Sequence, residues 1–213
     1  MKRHITAFAL AAAAALLAGP ASAATPVYRS TQQGAELVST GAARSVVVQP
    51  RATASTEGTV VYSNFGSEEA LYDDSWGWSL YSAQWVAVPF TPTFNARIQR
   101  VRMAIGYIYG TPDIKVSLNA DAGGVPGDVI KKFNALELPP FGQCCGTVST
   151  PFGGANVVAG QTYWVVARVP KRFDTGAAWH GNITGAEGAW AVNRGEGWRQ
   201  TSGILGALEV LAR

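Results

Sequence analysis

Two adjacent cysteines, Cys144 and Cys145, are the most unusual chemical feature of the sequence and its only cysteines. In an oxidising compartment the simplest partner of each is the other. Consecutive Cα atoms lie about 3.8 Å apart across a trans peptide, below the usual disulfide range of roughly 4.4–6.8 Å, so the bond would close a strained ring and stiffen the loop 141–146. That ring could be a rigid apolar platform for a ligand, a redox-sensitive bond, or a simple loop staple. Two intermolecular bonds are the alternative.

Tryptophan side chains are the next candidates for binding chemistry, because an indole face can stack on the apolar C–H surface of a sugar ring. The sequence contains seven of them, all after residue 57. The predicted glycan contacts are Trp76, Trp78, Trp179 and Trp198, with Asn182 as a polar anchor. Trp76 and Trp78 would face the same side of a strand, since side chains alternate along it. The competing interpretation places these rings in the core, where tryptophan is usually well buried.

Four carboxylates cluster within seven residues, at Glu68, Glu69, Asp73 and Asp74. Two carboxyl groups across a cleft can hydrolyse a glycosidic bond by acid–base catalysis. The same oxygens could bind calcium, with help from Asp121 or Asp128, although no EF-hand pattern is present. A solvated loop is the ordinary role of such a cluster.

His180 limits which catalytic mechanisms are open to the chain. The only other histidine, His4, lies within residues 1–23, which have the form of a cleavable export signal. A zinc site built from several histidines is then excluded, and a serine or cysteine nucleophile would have to use His180. No G-x-S-x-G sequence accompanies it, so we expect a structural histidine, no catalytic residue, no metal and no cofactor.

The proposed export signal also changes the charge of the chain. Lys2 and Arg3 precede an apolar stretch over 5–18, and Ala21-Ser22-Ala23 supplies a cleavage pattern. Without residues 1–23, the 17 basic residues become 15 against 14 acidic ones, a net charge of +1. This near neutrality argues against a nucleic-acid partner, and no later segment is long and apolar enough to span a membrane.

The rest of the chain must position these side chains. Its pattern of polar and apolar residues predicts β-strands. Residues 24–57 are poor in large apolar side chains and are predicted to be a flexible arm, with 46–48 as a possible edge strand. From 58 to 213, polar and apolar residues alternate over 100–105 and 114–120, whereas 163–169 is apolar on both faces. Glycine-rich turns separate these runs, at 121–124, 153–154 and 195–197 among others. The prediction is an all-β, two-sheet antiparallel sandwich of the jelly-roll kind.

Four segments resemble the choice-of-anchor R type of domain, a β-rich module of exported bacterial proteins. They are VVYSNFG at 60–66, DAGGVPGDVI at 121–130, AGQTYWVVA at 159–167 and AAWHGN at 177–182. The resemblance covers most of 58–213 and implies an extracytoplasmic module, without assigning any catalytic residue. Members often carry a sorting segment after this domain. None follows the ALEVL strand here, which favours periplasmic residence or release.

Together these observations predict a secreted or periplasmic, non-enzymatic β-sandwich with a binding or structural role at the cell envelope or outside the cell. A glycan or another envelope protein is the expected partner. The alternatives are a secreted carbohydrate-active hydrolase using the carboxylates at 68–74, and an assembly or adhesion module pairing through an open sheet edge or through Cys144 or Cys145.

Overall fold

The computed structural model describes residues 26–30, 35–40, 58–67, 70–135 and 137–213. Within these ranges the backbone forms β-strands and no helix, which confirms the all-β prediction. The strands in chain order are β1 (Val27–Ser30), β2 (Glu36–Ser39), β3 (Thr59–Ser63), β4 (Tyr72–Leu80), β5 (Trp85–Phe90), β6 (Ala96–Met103), β7 (Ile105–Tyr109), β8 (Ile114–Asp121), β9 (Pro126–Ala135), β10 (Val148–Val157), β11 (Tyr163–Arg168), β12 (Gly176–Asn182), β13 (Glu187–Asn193), β14 (Trp198–Ile204) and β15 (Leu208–Ala212). No helix in this part of the chain could cross a lipid bilayer.

The strands form three antiparallel sheets that build the two layers of a sandwich. Sheet I has the order β1-β2-β4-β12-β7, sheet II the order β10-β6-β15-β3, and sheet III the order β14-β13-β5-β11-β8-β9. Apolar side chains from all three sheets share one core, with sheets I and II facing sheet III. Trp179 and Leu80 of sheet I, Met103 of sheet II and Leu118 and Trp190 of sheet III are among its fully buried members.

Alternation in the sequence explains the strands that were predicted. In β8, Ile114, Val116 and Leu118 pack in the core, and Lys115 lies on the other face. The predicted strand over 100–105 divides at Ala104, where β6 ends and β7 begins. The strand β11 lies between β5 and β8, and both of its faces are buried, as its uninterrupted apolar sequence predicted.

Part of the predicted N-terminal arm belongs to sheet I. β1 and β2 pair with each other, and β2 pairs with β4. Val38 is fully buried, and the Gln84 side chain hydrogen-bonds both the backbone N–H and the carbonyl of Glu36. The amide of one glutamine therefore anchors a segment that has little apolar mass of its own. The proposed export signal at 1–23 and the possible strand at 46–48 lie outside the described residues.

Sheets I and II meet at a closed ring of backbone hydrogen bonds. The N–H of His180 donates to Ala104 at 2.8 Å, the N–H of Ala104 donates to Ala207 at 3.2 Å, and the N–H of Ala207 donates to His180 at 2.8 Å. Ala104 joins β6 to β7, and Ala207 precedes β15. This junction holds the two sheets in one layer and places His180 at their boundary.

Candidate functional site

His180 lies between two aromatic rings on the outer side of the junction. Trp179 points into the core, and the next side chain along β12 therefore points away from it. The imidazole stacks on Phe141, with ring centroids 4.6 Å apart, and on Tyr72, with centroids 4.8 Å apart. The side chain is 1% exposed, so the rings and their loops cover it completely.

One nitrogen of this imidazole has a partner and the other has none. Nδ1 lies 3.2 Å from the carbonyl oxygen of Trp76, which can only accept, so Nδ1 carries the proton. Nε2 is buried without a hydrogen-bond partner in the described chain. A Cβ on Gly106 would come within 2.9 Å of it, which shows how closely β7 approaches. The result is a neutral histidine with a bare, enclosed acceptor.

Burial determines the protonation of His180. Desolvation lowers its pKa to about 4, and the Trp76 carbonyl and the carboxylates of Asp74 and Asp73 only partly oppose that effect. The ring is therefore uncharged at neutral pH. A general base must also reach the proton that it removes. This imidazole has no open face from which it could reach a substrate.

Cys144 and Cys145 form a disulfide with each other, as predicted. Whereas the sequence argument assumed a trans peptide, the peptide between them is cis, with Cα atoms 3.1 Å apart. The Tyr72 hydroxyl lies 2.7 Å from the carbonyl of Gln143 and 3.0 Å from that of Gly146, on either side of the pair. The half-buried sulfurs pack with Tyr72 in a small apolar cluster. Tyr72 therefore connects the disulfide loop to His180.

Burial also perturbs Tyr72. Desolvation, followed by repulsion from Asp74, raises the pKa of its phenol to about 12, and the hydrogen bond to Gly146 opposes this only partly. The hydroxyl keeps its proton at all physiological pH values. It can therefore serve as a permanent donor to the loop carbonyls, and the disulfide loop has a fixed attachment to β4.

Two of the predicted glycan-binding tryptophans lie in the core. Trp179 is 0% exposed and donates from Nε1 to the carbonyl of Ala207 at 2.9 Å. Trp78 is 7% exposed and donates from Nε1 to Ile204 at 3.2 Å. Stacking on a sugar needs an open ring face, which neither indole offers. Both rings instead stabilise the sandwich, and their polar edges are satisfied by backbone carbonyls.

Asn182, the predicted polar anchor, has a structural role at the turn after β12. Its Nδ2 donates to the carbonyls of Ala186 and Leu205, each at 2.8 Å. Its Oδ1 accepts from the N–H of Ala186 at 2.8 Å and from the hydroxyl of Thr184 at 2.9 Å. The amide is buried and both of its ends are occupied. A ligand would find no free donor there.

Trp76 faces the same side as Trp78, as its spacing predicted, but it lies at the border of the core. The two rings meet edge to face with centroids 5.5 Å apart. The Trp76 ring lies over Gly181, where a Cβ would overlap it. Its Nε1 donates to Asp73 at 3.0 Å, and the same carboxylate accepts from the N–H and hydroxyl of Ser75. Asp73 is thus committed to positioning the strand.

The other carboxylates of the predicted cluster and its calcium partners are only partly within the described residues. Glu68 and Glu69 lie outside the described residues. Asp121 accepts from the N–H groups of Gly123 and Gly124 and, at 2.7 Å, from Nε1 of Trp164, which makes it a turn residue. Among the residues that the structure describes, no group of three or more histidine, cysteine or acidic side chains could hold a metal ion.

Trp198 belongs to a row of side chains that crosses the outer face of sheet III. Core residues alternate with residues of the opposite face on β5, β8, β9, β11 and β13. The register aligns one residue of that opposite face from each of these strands with one from β14. We call these residues the outer row; in spatial order they are Trp198, Asn193, Trp85, Arg168, Lys115 and Asn134.

The outer row combines two partly exposed indoles with hydrogen-bonding groups. Trp198 and Trp85 are each half-buried, and Asn193 lies between them. The Nε1 of Trp85 donates to the carbonyl of Val169 at 3.1 Å, and the Arg168 guanidinium lies 5.7 Å from the Trp85 ring centroid. These contacts fix the orientation of the Trp85 ring while part of it remains open to solvent.

Of the outer row, the sequence predicted only Trp198 as a glycan contact, and not Trp85, Asn193 or Arg168. The alternation of WVAVPF at 85–90 puts Trp85 on the side opposite Val86, and YWVVAR at 163–168 does the same for Arg168 and Ala167. These positions come together only because their strands are neighbours in the sheet. The local sequence pattern does not contain the order of the strands.

No family model, no curated protein and no solved structure matches the chain.

Proposed function

We propose that this protein is an exported, non-enzymatic β-sandwich module that binds a glycan through the outer row of sheet III. The observation that carries the proposal is the alignment of two partly exposed indoles, Trp198 and Trp85, on either side of Asn193. An indole face can stack on the apolar C–H surface of a sugar ring, and an amide group can hydrogen-bond its hydroxyl groups. The proposed class of ligand follows from this chemistry. The outer row replaces the predicted glycan site around Trp78, Trp179 and Asn182.

The spacing of the two indoles suits a short run of sugar units. Trp198 and Trp85 are on β14 and β5, with β13 between them. Two strand spacings separate their backbones by about 10 Å, which is comparable to a disaccharide. Asn193 lies at the midpoint, and its Oδ1 accepts from the N–H of Gly195 at 2.8 Å. Its Nδ2 makes no hydrogen bond within the described chain and is available to a sugar hydroxyl.

The disulfide supports export. A bond between Cys144 and Cys145 persists in an oxidising compartment and is rare in the cytosol. Residues 1–23 have the form of an export signal, and the resemblance to choice-of-anchor R type domains points the same way. Both stay predictions.

Binding is favoured over catalysis because the described catalytic candidates are already engaged. His180 is enclosed and uncharged, and Asp73 accepts three hydrogen bonds from its own strand. The hydrolase alternative depends on Glu68 and Glu69 and stays a prediction. The assembly alternative loses its intermolecular disulfide, since the two cysteines are paired with each other, and retains the open sheet edges.

Affinity electrophoresis tests this function. The purified protein is run through native gels containing one of a panel of neutral polysaccharides. We expect retardation in at least one gel, and we expect Trp85→Ala and Trp198→Ala each to weaken binding about 10-fold, which corresponds to ~1.4 kcal/mol of lost binding free energy.

Exposed aromatic residues outside the outer row provide matched controls. Tyr109 and Phe94 are 52% and 39% exposed, and Tyr109→Ala and Phe94→Ala should leave the retardation unchanged. Thermal melting of each variant separates lost binding from lost folding. Equal migration of the wild type in all gels, or retardation that survives both outer-row substitutions in folded protein, would refute the proposal.

A further inference from the structure

We propose a second binding site, an oxyanion groove on the outer face of sheet II, that takes a phosphate or sulfate group. The groove has a volume of about 470 Å³ and is open to solvent. It is lined by Arg97, Gln99, Arg100, Pro151, Gly153 and Arg213. It lies in the layer opposite sheet III, so it does not depend on the proposed glycan function.

A bulge in β10 shapes one wall of the groove. Pro151 pairs with Arg100 and Ala155 pairs with Ile98, so residues 152–154 oppose the single residue Gln99 of β6. The extra residues make the strand depart from the sheet, as β-bulges do. Gly153 and Gly154 have φ angles of 59° and 89°, in the left-handed region that favours glycine. The bulge therefore requires these glycines.

Gly154 also makes room for the side chain that we place at the centre of the site. A Cβ at this position would overlap the Nε of Arg97. The Arg97 guanidinium thus lies against the backbone of the bulge, beside the groove. A glycine that serves both the backbone conformation and the arginine indicates a built feature of the surface.

Positive charge is concentrated on this face. β6 carries Arg97, Arg100 and Arg102, β15 is followed by Arg213, and the acidic residue on the described strands of sheet II is Glu209. Glu209 is paired with Arg102 at 2.8 Å, outside the groove lining. The whole chain after residue 23 has a net charge of only +1, so the excess of positive charge on this face is larger than that of the chain as a whole.

Two of the groove arginines are available to a ligand. Arg97 and Arg213 are exposed, and neither makes a hydrogen bond or ion pair with another residue in the described ranges. A guanidinium donates through a planar fork that fits two oxygens of a phosphate or sulfate group. Two such forks beside one groove match a tetrahedral oxyanion, either as a free ion or as a substituent on a larger molecule.

The test is an NMR titration of the folded full chain with sodium sulfate and sodium phosphate. Sodium chloride is exchanged for the added salt at constant ionic strength, so that general screening does not change. We expect saturable shifts confined to the amides of residues 97–101 and 152–155, with a dissociation constant in the millimolar range. The variants are Arg97→Gln, Gly154→Ala and, as a control, Arg199→Gln, whose guanidinium is exposed and paired with Glu196 elsewhere on the surface.

Both groove variants should weaken sulfate binding at least 10-fold, and Arg199→Gln should leave it unchanged. Dextran sulfate and neutral dextran form the second arm. If dextran sulfate binds more tightly than free sulfate and Arg97→Gln abolishes that binding, the natural ligand carries its oxyanion on a polymer. If the affinity per sulfate group is equal, the ligand is a small anion. Both results support the groove. Shifts that rise linearly without saturation, sulfate binding that survives Arg97→Gln, or groove-amide shifts produced equally by neutral dextran would overturn it. If Gly154→Ala fails to fold, Arg97→Gln alone decides.

Discussion

The buried, neutral His180 makes the stability of the protein depend on pH. In the unfolded chain its pKa returns to about 6.5, whereas in the folded protein burial lowers it to about 4. Below pH 6.5 the unfolded chain therefore binds a proton that the folded protein does not. Stability is lost as the pH falls from 6.5 towards 4, and the loss is complete below the folded pKa.

The two pKa values set the size of this effect. Each pKa unit corresponds to ~1.36 kcal/mol, so the full difference is ~3.4 kcal/mol. Linkage gives a loss of about 1.4 kcal/mol at pH 5.5 and about 2.5 kcal/mol at pH 4.5. The titratable groups that face the imidazole are the phenol of Tyr72 and the carboxylates of Asp73 and Asp74, all on β4. Both carboxylates favour the protonated form of His180, and the pKa of about 4 already includes their effect.

The assay is urea denaturation of the wild type and of His180→Phe between pH 7.5 and 4.5. Phenylalanine preserves the stack with Phe141 and Tyr72 and cannot titrate. We expect the wild type to lose about 2.5 kcal/mol more than the variant over this range. Equal losses in the two proteins would refute a buried neutral histidine, and so would an imidazole NMR titration with a midpoint near 6.5 in the folded protein.

Two further predictions concern positions with matched controls. Asn182→Ala should lower the free energy of unfolding by about 2–4 kcal/mol, because it removes the four hydrogen bonds of a buried amide and leaves the N–H of Ala186 without its partner. Asn156→Ala on the exposed side of β10 should change it by less than about 0.5 kcal/mol in the same urea titrations. Gly181→Ala should cost about 1–3 kcal/mol, because its Cβ would overlap the Trp76 ring, whereas a Cβ at Gly188 would meet Leu205 at 3.7 Å and Gly188→Ala should be neutral or slightly stabilising. Indistinguishable melting temperatures within either pair would contradict the packing described here.

Local pattern predicted the elements better than it predicted their neighbours. Alternation identified β8 and the second half of β6, and a sequence that is apolar on both faces identified the buried strand β11. The Cys144–Cys145 bond was predicted because these are the only two cysteines of a chain with the form of an exported protein. The cradle of His180 could not be predicted, because Tyr72 and Phe141 lie 108 and 39 residues away from it along the chain. Only tertiary packing brings those rings together.

The same limit explains the revised binding face. Trp179 and Trp198 have the same side-chain chemistry, and what separates them is the direction in which each strand presents its ring. Trp179 alternates into the shared core, whereas Trp198 pairs with Asn193 on the outside of sheet III. The direction of each ring depends on which face of its strand packs against the opposite layer. The order of the strands in space determines that face.

The position of β15 in sheet II has a consequence for how the chain acquires its structure. β15 lies between β6 and β3, so residues 208–212 are hydrogen-bonded to residues 59–63 on one side and to β6 on the other. During synthesis at about 5–20 residues per second, β3 waits roughly 7–30 s for this partner. Throughout that interval sheet II lacks an interior strand and the core cannot close, and pairings between such distant segments are slow to form in any case. Sheet II can therefore be completed only after residues 208–212 have emerged from the ribosome.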